Sequence, residues 1–309
     1  MHAISREILE KYQTRLRRRQ KTEFIEWLVP KLEANGYSVK LETKQGLIHN
    51  RNIVIGDVTT AKVVFGAHYD TQAVIPIPIV MTPKNLPVYI VMQLPILIMF
   101  IAAMILAELG LLLVTGNILA ATLGALFVVY LLTGLLISGV PNRHTANDNT
   151  SGVITLIESM LSMPRELRDK AAFVLFDNEE YGLVGSRYFL AQHKNAMNNK
   201  QLVNFDCVSD GDNIHIHFSK RAKKDKALVD AVERSFVPAN GKGVVIERGF
   251  FLYTSDQMGF PKNVAVCALK PSKWIGPYLD RIHTNRDVIF DERNITLLRD
   301  GVVAYVGAI

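Results

Sequence analysis

The stretch AKVVFGAHYDT, residues 61–71, consists of an apolar run that ends in an imidazole and a carboxylate. Its apolar residues do not alternate with polar ones, which is typical of a strand covered on both faces in a parallel-type sheet. His68 and Asp70 follow the run directly, so we expect them at the carboxyl end of the strand. Ligands of open α/β sheets gather at such carboxyl ends. The stretch therefore predicts a sheet flanked by helices, with a chemical site at one edge.

Three further apolar runs resemble the first one. They are AAFVLF (171–176), LVNF (202–205) and NVAVCAL (263–269). Segments with apolar residues at helical spacing lie between and after these runs, around residues 153–161, 228–236 and 295–303. This alternation predicts an α/β fold, specifically a three-layer α/β/α sandwich with a mostly parallel central sheet.

Residues 85–142 interrupt the alternation, because Glu108 is the only formal charge in this window. A bilayer core of ~30 Å needs roughly 20 apolar helical residues, so the window is long enough for two passes. We predict an inserted transmembrane helical hairpin, with helices near residues 87–107 and 117–139 and a turn within residues 108–116. The alternative is a helical pair buried in a soluble core, but such helices normally keep a polar face and these have none.

The chain therefore divides into residues 1–82, the inserted hairpin 83–142, and residues 143–309. The first and third parts are expected to form one catalytic domain. Lys84 and Arg143 flank the hairpin at its base. The positive-inside rule then predicts a two-helix membrane protein whose catalytic domain lies in the cytoplasm.

The composition constrains the compartment and the partners. Two cysteines, Cys207 and Cys267, give no disulfide framework, which suits a reducing compartment. The N-terminal residues lack a continuous apolar run, so no secretory signal is expected. The basic run RLRRRQK, residues 15–21, is interpreted as a solvated helix face. Contact with anionic lipid headgroups is favoured over nucleic-acid binding, because no nucleic-acid motif accompanies the run.

Polar groups also follow two of the other apolar runs. Asp177 and three more polar residues follow the run that ends at residue 176, and Asp206 follows the run 202–205. Each such group alone is more often a turn residue, a helix cap or a structural histidine than a ligand. The adjacent pair Glu179 and Glu180 is different, because neighbouring carboxylates behind a buried strand repel each other unless a cation offsets them. We therefore expect a cation where these strands end.

Five short motifs, taken together and in order, resemble the dizinc aminopeptidases. The relatives of that family include glutamate carboxypeptidase, glutaminyl cyclase and transferrin receptor. The matching motifs are GAHYDT, NDNTSG, DNEEYGLVGS, NFD and HTNRD, and they span most of residues 52–290 outside the hairpin. The segment TSDQMGF resembles a further block of the family, but Gln257 stands where many relatives carry histidine.

The resemblance implies a pair of zinc ions held by five side chains. His68 and Asp206 would hold one ion, Glu180 and His283 the other, and Asp148 would lie between both. Mixed imidazole and carboxylate ligands suit zinc, although other divalent transition metals such as cobalt or manganese can occupy sites of this kind.

The resemblance also assigns the catalytic groups. Glu179 would be the general base that takes a proton from the attacking water, and Asp70 would orient the ring of His68 through its other nitrogen. Tyr253 would either help to hold the oxyanion or simply pack in the core. The implied function is a membrane-anchored aminopeptidase that removes N-terminal residues, with peptide and lipid bilayer as partners. Carboxypeptidase, glutaminyl-cyclase and non-catalytic receptor-like roles remain open alternatives.

One segment looks like a metal site but is not expected to be one. SDGDNIHIH, residues 209–217, contains Asp210, Asp212, His215 and His217. The two histidines would share one face of a strand and the acidic pair is typical of a turn, so we predict no metal there.

Overall fold

The computed structural model describes residues 1–46 and 48–309, which form an eight-stranded mixed sheet. The strands are β1 (Val39–Lys44), β2 (Asn50–Ile55), β3 (Val63–His68), β4 (Ala171–Phe176), β5 (Gln201–Phe205), β6 (Asn213–Phe218), β7 (Gly243–Glu247) and β8 (Asn263–Leu269). Their order across the sheet is β1-β2-β4-β3-β5-β8-β6-β7.

The four central strands, β4, β3, β5 and β8, are parallel to one another. Antiparallel pairing occurs towards the edges, between β1 and β2, β2 and β4, and β8 and β6. The α/β class is therefore confirmed, whereas the sheet is parallel mainly at its centre. The local apolar pattern predicts a strand buried on both faces, but it does not encode the direction of the neighbouring strand.

Helices cover both faces of this sheet. The helices are α1 (Ala3–Lys11), α2 (Arg18–Ala34), α3 (Leu86–Thr115), α4 (Ile118–Ser138), α5 (Gly152–Ser162), α6 (Val184–Gln192), α7 (Lys194–Met197), α8 (Lys220–Lys223), α9 (Lys226–Ser235) and α10 (Glu292–Ala308). Buried residues of α1, α2, α5, α9 and α10 share one core with the sheet, and those of α6 and α7 belong to a second core on the opposite face. The sheet and the helices on its two faces form the predicted three layers.

Strand β3 shows why its sequence does not alternate. All six of its residues are buried. Phe65 belongs to the first core, where its ring stacks on Phe173 and Phe205, whereas Val64 belongs to the core on the other face. Burying one such aromatic or aliphatic side chain stabilises the fold by about 1.5–3 kcal/mol. Both faces of the central strands therefore contribute to stability, and the polar groups are left to the strand ends.

The hairpin helices α3 and α4 lie apart from both cores. No residue of α3 is buried, and only Ala121 and Ala125 of α4 are. With 30 and 21 residues the helices are about 45 Å and about 31 Å long. Both are long and apolar enough to cross a membrane. The alternative of a helical pair buried in a soluble core is wrong, because these side chains pack against no core.

The turn of the hairpin lies at Gly116, the last residue of the predicted range 108–116, and at Asn117, one residue beyond it. The first helix continues past residue 107 to Thr115, where Gly116 ends it with a left-handed φ of 61°. Glu108 therefore lies inside α3, and its carboxylate accepts a hydrogen bond of 2.7 Å from Thr122 Oγ1 of α4. Since the residues from 109 to 115 include no proline, nothing stops the helix earlier.

Candidate metal centre

Asp148 lies between two pairs of predicted ligands, His68 with Asp206 and His283 with Glu180. The histidine of each pair faces a different carboxylate oxygen of Asp148. His68 ends β3 and Asp206 follows the adjacent parallel strand β5, so both side chains lie at the same sheet edge. His68 Nε2 lies 3.4 Å from Asp148 Oδ1 and 3.5 Å from Asp206 Oδ1. On the other side, His283 Nε2 lies 2.9 Å from Asp148 Oδ2 and 3.3 Å from Glu180 Oε1.

These separations fit divalent cations. Ligand atoms ~2.0–2.2 Å from a tetrahedral zinc ion lie ~3.3–3.6 Å from one another. Asp206 Oδ1 and Glu180 Oε1 are buried and have no hydrogen-bond partner among the described residues. Buried carboxylate oxygens are normally satisfied, so these two oxygens are suited to bind a cation. His68, Asp148 and Asp206 suit one ion, and Asp148, Glu180 and His283 suit a second.

The NDNTSG loop holds Asp148 in place through its neighbours. The carboxylate of Asp287 accepts the backbone N–H groups of Asn147 at 2.8 Å and of Asp148 at 2.9 Å. Asn149 Nδ2 donates to the carbonyl of Phe205, which ties the loop to the end of β5. A side chain at Gly152 would collide with Asn149 and with the same carbonyl. Asp287 was not among the predicted site residues, although it is the last letter of the HTNRD motif.

Asp70 fixes the backbone that carries the two glutamates. Its Oδ1 accepts the N–H of Glu179 at 3.0 Å, and its Oδ2 accepts the N–H of Glu180 at 3.2 Å. His68 Nδ1 lies 3.1 Å from the backbone carbonyl of Asp70 and 3.7 Å from its nearer carboxylate oxygen. In this geometry the carbonyl orients the imidazole, while the carboxylate orients the glutamate loop.

Glu179 lies beside the ligand cluster in a strongly negative environment. Burial raises the pKa of its carboxyl well above the usual range, and the neighbouring carboxylates Glu180 and Asp256 raise it further. His68 acts in the opposite direction. A carboxylate held in this way is suited to accept a proton from a water molecule in the cluster.

Comparison with known proteins agrees with this geometry. Residues 136–305, more than half of the chain, match the model of peptidase family M28. The chain belongs to peptidase family M28. That membership supports a hydrolase that acts on peptides. The matched region includes Asp148, both glutamates and His283, whereas His68 precedes it.

Solved structures with the same fold include enzymes of two kinds. The chain is similar to glutaminyl cyclase from Porphyromonas gingivalis, with a TM-score of 0.63, 17% identity and coverage of 98% of this chain and 96% of that one. It is similar to the LapA aminopeptidase of Legionella pneumophila, with a TM-score of 0.58, 15% identity and coverage of 99% and 68%. A Zn-dependent exopeptidase from Parabacteroides distasonis gives a TM-score of 0.58, 13% identity and coverage of 98% and 96%. No curated protein matches the chain.

The TSDQMGF segment of this M28 peptidase places one more carboxyl at the centre. Both oxygens of Asp256 are buried without a hydrogen-bond partner in the described part of the chain, and burial raises the pKa of Asp256 to about 7. Gln257 is fully used inside the fold, since its Nε2 donates to the carbonyl of Tyr253 and its Oε1 accepts from Asn204 Nδ2. The hydroxyl of Tyr253 donates to the backbone carbonyl of Asp206 at 3.2 Å. The hydroxyl proton of Tyr253 is therefore used to hold the backbone of the predicted ligand Asp206.

The basic run RLRRRQK is only partly a solvated helix face, which corrects that expectation. Arg15 is fully buried, with Nη2 donating to Thr150 Oγ1 at 3.1 Å and Nε to the carbonyl of Tyr69. Burial lowers the pKa of Arg15 to about 10, but the charges of Asp70 and Asp148 oppose the shift. Arg15 thus supplies a fixed positive charge behind the ligand cluster.

The SDGDNIHIH segment makes ion pairs elsewhere in the M28 peptidase. Asp210 receives two hydrogen bonds from Arg281 Nη1, at 2.9 Å and 3.0 Å. His215 Nδ1 lies 2.7 Å from Glu247 Oε1, and the second oxygen of Glu247 lies 2.8 Å from Lys84 Nζ. Asp210 and His215 thus form ion pairs with other side chains of the same chain, and these pairs need no metal.

Proposed function

We propose that this M28 peptidase is a membrane-anchored aminopeptidase that holds two zinc ions and removes N-terminal residues from peptides on the cytoplasmic side. One observation carries the proposal. Two sets of buried ligand atoms share Asp148, and Glu179 stands next to the ligand Glu180. All five ligand positions are filled by residues that bind zinc, which argues against a non-catalytic receptor-like role.

The division of labour between the two glutamates follows from their contacts. Glu180 points its Oε1 at His283 and Asp148, as a ligand does. When bound, a pair of divalent ions lowers the pKa of a water molecule and polarises the scissile carbonyl. Glu179 would take the proton of the attacking water and return it to the leaving amine, acting first as a base and then as an acid.

Carboxylates beyond those that two divalent ions need favour a substrate with a free amine. Two such ions would carry four positive charges, which the ligand carboxylates Asp148, Glu180 and Asp206 and a hydroxide would offset. Glu179 and Asp256 remain as additional acidic groups, and among the described residues both oxygens of Asp256 have no hydrogen-bond partner. A peptide N-terminus is an ammonium group with three donors, which these two groups would favour over a C-terminal carboxylate.

The hairpin starts from the rim of this centre. Val74 N–H donates to the carbonyl of Val140 at 2.8 Å, so the segment that leads towards α3 lies beside the segment that follows α4. Ile75 N–H donates to the carbonyl of His283, and Tyr181, the residue after Glu180, hydrogen-bonds Ser138 at the end of α4. A peptide close to the membrane surface would therefore reach the catalytic centre directly.

The residues around the base of the hairpin support membrane insertion with a cytoplasmic catalytic domain. Arg17 Nη2 lies 3.4 Å from the carbonyl of Gly139, so the basic run joins Lys84 and Arg143 at this end of the hairpin. Trp274 is 93% exposed in a loop beside the residues that lead into α3. An excess of basic side chains is typical of the cytoplasmic side, and tryptophan is enriched at both membrane–water interfaces.

The activity is tested by metal analysis and a matched substrate panel on the detergent-purified chain. We expect two zinc ions per chain, and hydrolysis of peptides that carry a free amine at rates at least about 100-fold above those of their N-acetylated counterparts, because the buried carboxylates need the ammonium. Release of C-terminal residues from acetylated peptides would instead indicate a carboxypeptidase. Ammonia release from peptides that begin with glutamine, without hydrolysis, would indicate a cyclase.

The membrane anchor makes a separate prediction. The full chain is expected in the membrane pellet after an alkaline carbonate wash, because about 20 apolar residues in each helix favour the bilayer. Replacing residues 86–138 by about six Gly and Ser residues should give a soluble protein. Packed helices lie about 8–10 Å apart, and α3 has 30 residues against 21 in α4, so their ends at the base are also offset by about 14 Å along the axis. An extended linker of six residues reaches about 20 Å and spans this distance. Its zinc content and hydrolysis of free-amine peptides should stay within a few-fold of the full chain. Recovery of the full chain in the supernatant without detergent would contradict the anchor.

A further inference from the structure

A cavity of about 340 Å³ lies at the base of the hairpin. Its wall includes Arg17, Arg18, Lys21 and Arg51, together with Ser138, the last residue of α4. In the described part of the chain, its lining contains none of the five proposed metal ligands. Residues far apart in the sequence therefore bring four cations to the point where α4 ends.

Three of these cations have no carboxylate partner in the part of the chain that the structure describes, and Arg17 Nη2 donates only to the carbonyl of Gly139. Lys21 is neutralised, because its Nζ donates to Asp177 at 2.7 Å. Among the described residues, neither Arg18 nor Arg51 pairs with a carboxylate; one guanidinium nitrogen of Arg51 contacts only the carbonyl of Arg18, and its buried Nε has no partner. A buried donor without an acceptor is costly, so the cavity favours an anion that accepts from Arg51.

The neighbouring histidine shows that the local potential is positive. His49 also lines the cavity. Burial, and then the charges of Arg18, Arg51 and Lys21, lower the pKa of His49. The positive potential that disfavours protonation of the His49 ring would attract an anion into the cavity.

An apolar surface continues from the cavity along α4. Leu16 and Ile48 line the cavity beside the cations, and Ile48 is 40% exposed. Leu135 lies one turn before Ser138 and is 60% exposed on α4. A soluble anion would make no use of this surface. A phospholipid would use both parts, with its phosphate among the arginines and its acyl chains along the helix.

We propose that this cavity binds the phosphate-bearing headgroup of an anionic phospholipid at the membrane surface. The inference rests on the membrane anchor of the proposed function. The same cavity is lined by Asn178 and Tyr181, which flank the two glutamates, and Lys21 Nζ donates to Asn178 Oδ1 at 2.7 Å. An occupied cavity would therefore lie directly behind the catalytic loop.

The test uses the full chain purified in a neutral detergent and delipidated. Binding of phosphatidylglycerol, of phosphatidylcholine and of inorganic phosphate is followed by native mass spectrometry and by the shift in unfolding temperature. Arg18→Gln and Arg51→Gln each remove one cation from the cavity. Arg19→Gln is the matched control, because Arg19 belongs to the same basic run but pairs with Glu23 at 2.8 Å and does not line the cavity.

We expect phosphatidylglycerol to bind more tightly than phosphatidylcholine. Arg18→Gln and Arg51→Gln should each weaken phosphatidylglycerol binding about tenfold, because each removes a charge-assisted hydrogen bond. Arg19→Gln should stay within about twofold, as an exposed charge contributes little. Equal binding of both lipids, an equal effect of Arg19→Gln, or inorganic phosphate binding as tightly as the lipid would each overturn the proposal. Peptide hydrolysis by the same variants and pelleting of the wild-type chain report on the proposed function independently.

Discussion

Replacing Glu179 by glutamine is expected to lower kcat by about 10²–10⁴-fold while the zinc content stays unchanged, since general acid–base catalysis contributes about that much. The amide keeps the size of the carboxylate but cannot accept the proton of the attacking water. Glu179 lies beside the ligand cluster, and its backbone N–H is held by Asp70. The local fold should therefore survive the change. The measurement is kcat on a free-amine peptide together with zinc per chain.

The adjacent residue provides the sharpest control for that experiment. Glu180→Gln should lose zinc as well as activity, because Glu180 Oε1 faces His283 and Asp148. Glu166→Gln, outside the site, should change neither quantity. Unchanged turnover in Glu179→Gln would remove the proposed base from the mechanism. Loss of zinc in Glu179→Gln would make the residue a ligand instead.

Replacing Asp148 by alanine is expected to remove both metal ions and to reduce activity to background. Each proposed ion has three protein ligands, and Asp148 gives a different oxygen to each set. Changes to residues that merely support ligands already cost about 10–100-fold in affinity, so losing a shared ligand should weaken both sites by more than about 100-fold. The measurement is zinc per chain after dialysis against a series of buffered free-zinc concentrations.

Two comparisons separate a shared ligand from a general loss of structure. Glu180→Ala should weaken one site only, leaving about one tightly bound ion per chain, because in the proposed arrangement Glu180 holds only the ion that it shares with His283 and Asp148. Asp212→Ala removes a carboxylate that is 70% exposed and should bind zinc like the wild type. One zinc ion retained with wild-type affinity in Asp148→Ala would show that Asp148 does not serve both sites.

The order of strands and their pairing lay beyond the sequence pattern. Each central strand was recognisable, because a strand buried on both faces needs a continuous apolar run. The antiparallel pairing of β2 with β4 and of β6 with β8 was not, since the same apolar run fits either direction. The hairpin was recognisable from its long apolar run. The position of its turn at Gly116 and Asn117 was not, because it depends on how far α3 continues.

The candidate ligands could be recognised in the sequence as separate motifs. Only the folded chain shows that the two carboxylate oxygens of Asp148 face two different sets of ligands. His283 has a left-handed φ of 58°, a conformation that local preference disfavours and that surrounding contacts must impose. The clamp of Asp287 on the backbone of Asp148 joins residues 139 apart in the chain. No spacing rule predicts such a contact.

By itself, the sequence determined the type of each central element, the apolar hairpin and the residue types that can bind metal, because these depend on composition and on periodicity over a few residues. Tertiary structure decided which charges are buried. Arg15 and Lys21 belong to a basic run that looks solvated, yet both are buried, Arg15 against the carbonyl of the residue that follows β3 and Lys21 against the carboxylate of the residue that follows β4. A charge can be buried only where distant parts of the chain supply partners for it, and the residues next to it in the sequence do not predict those partners.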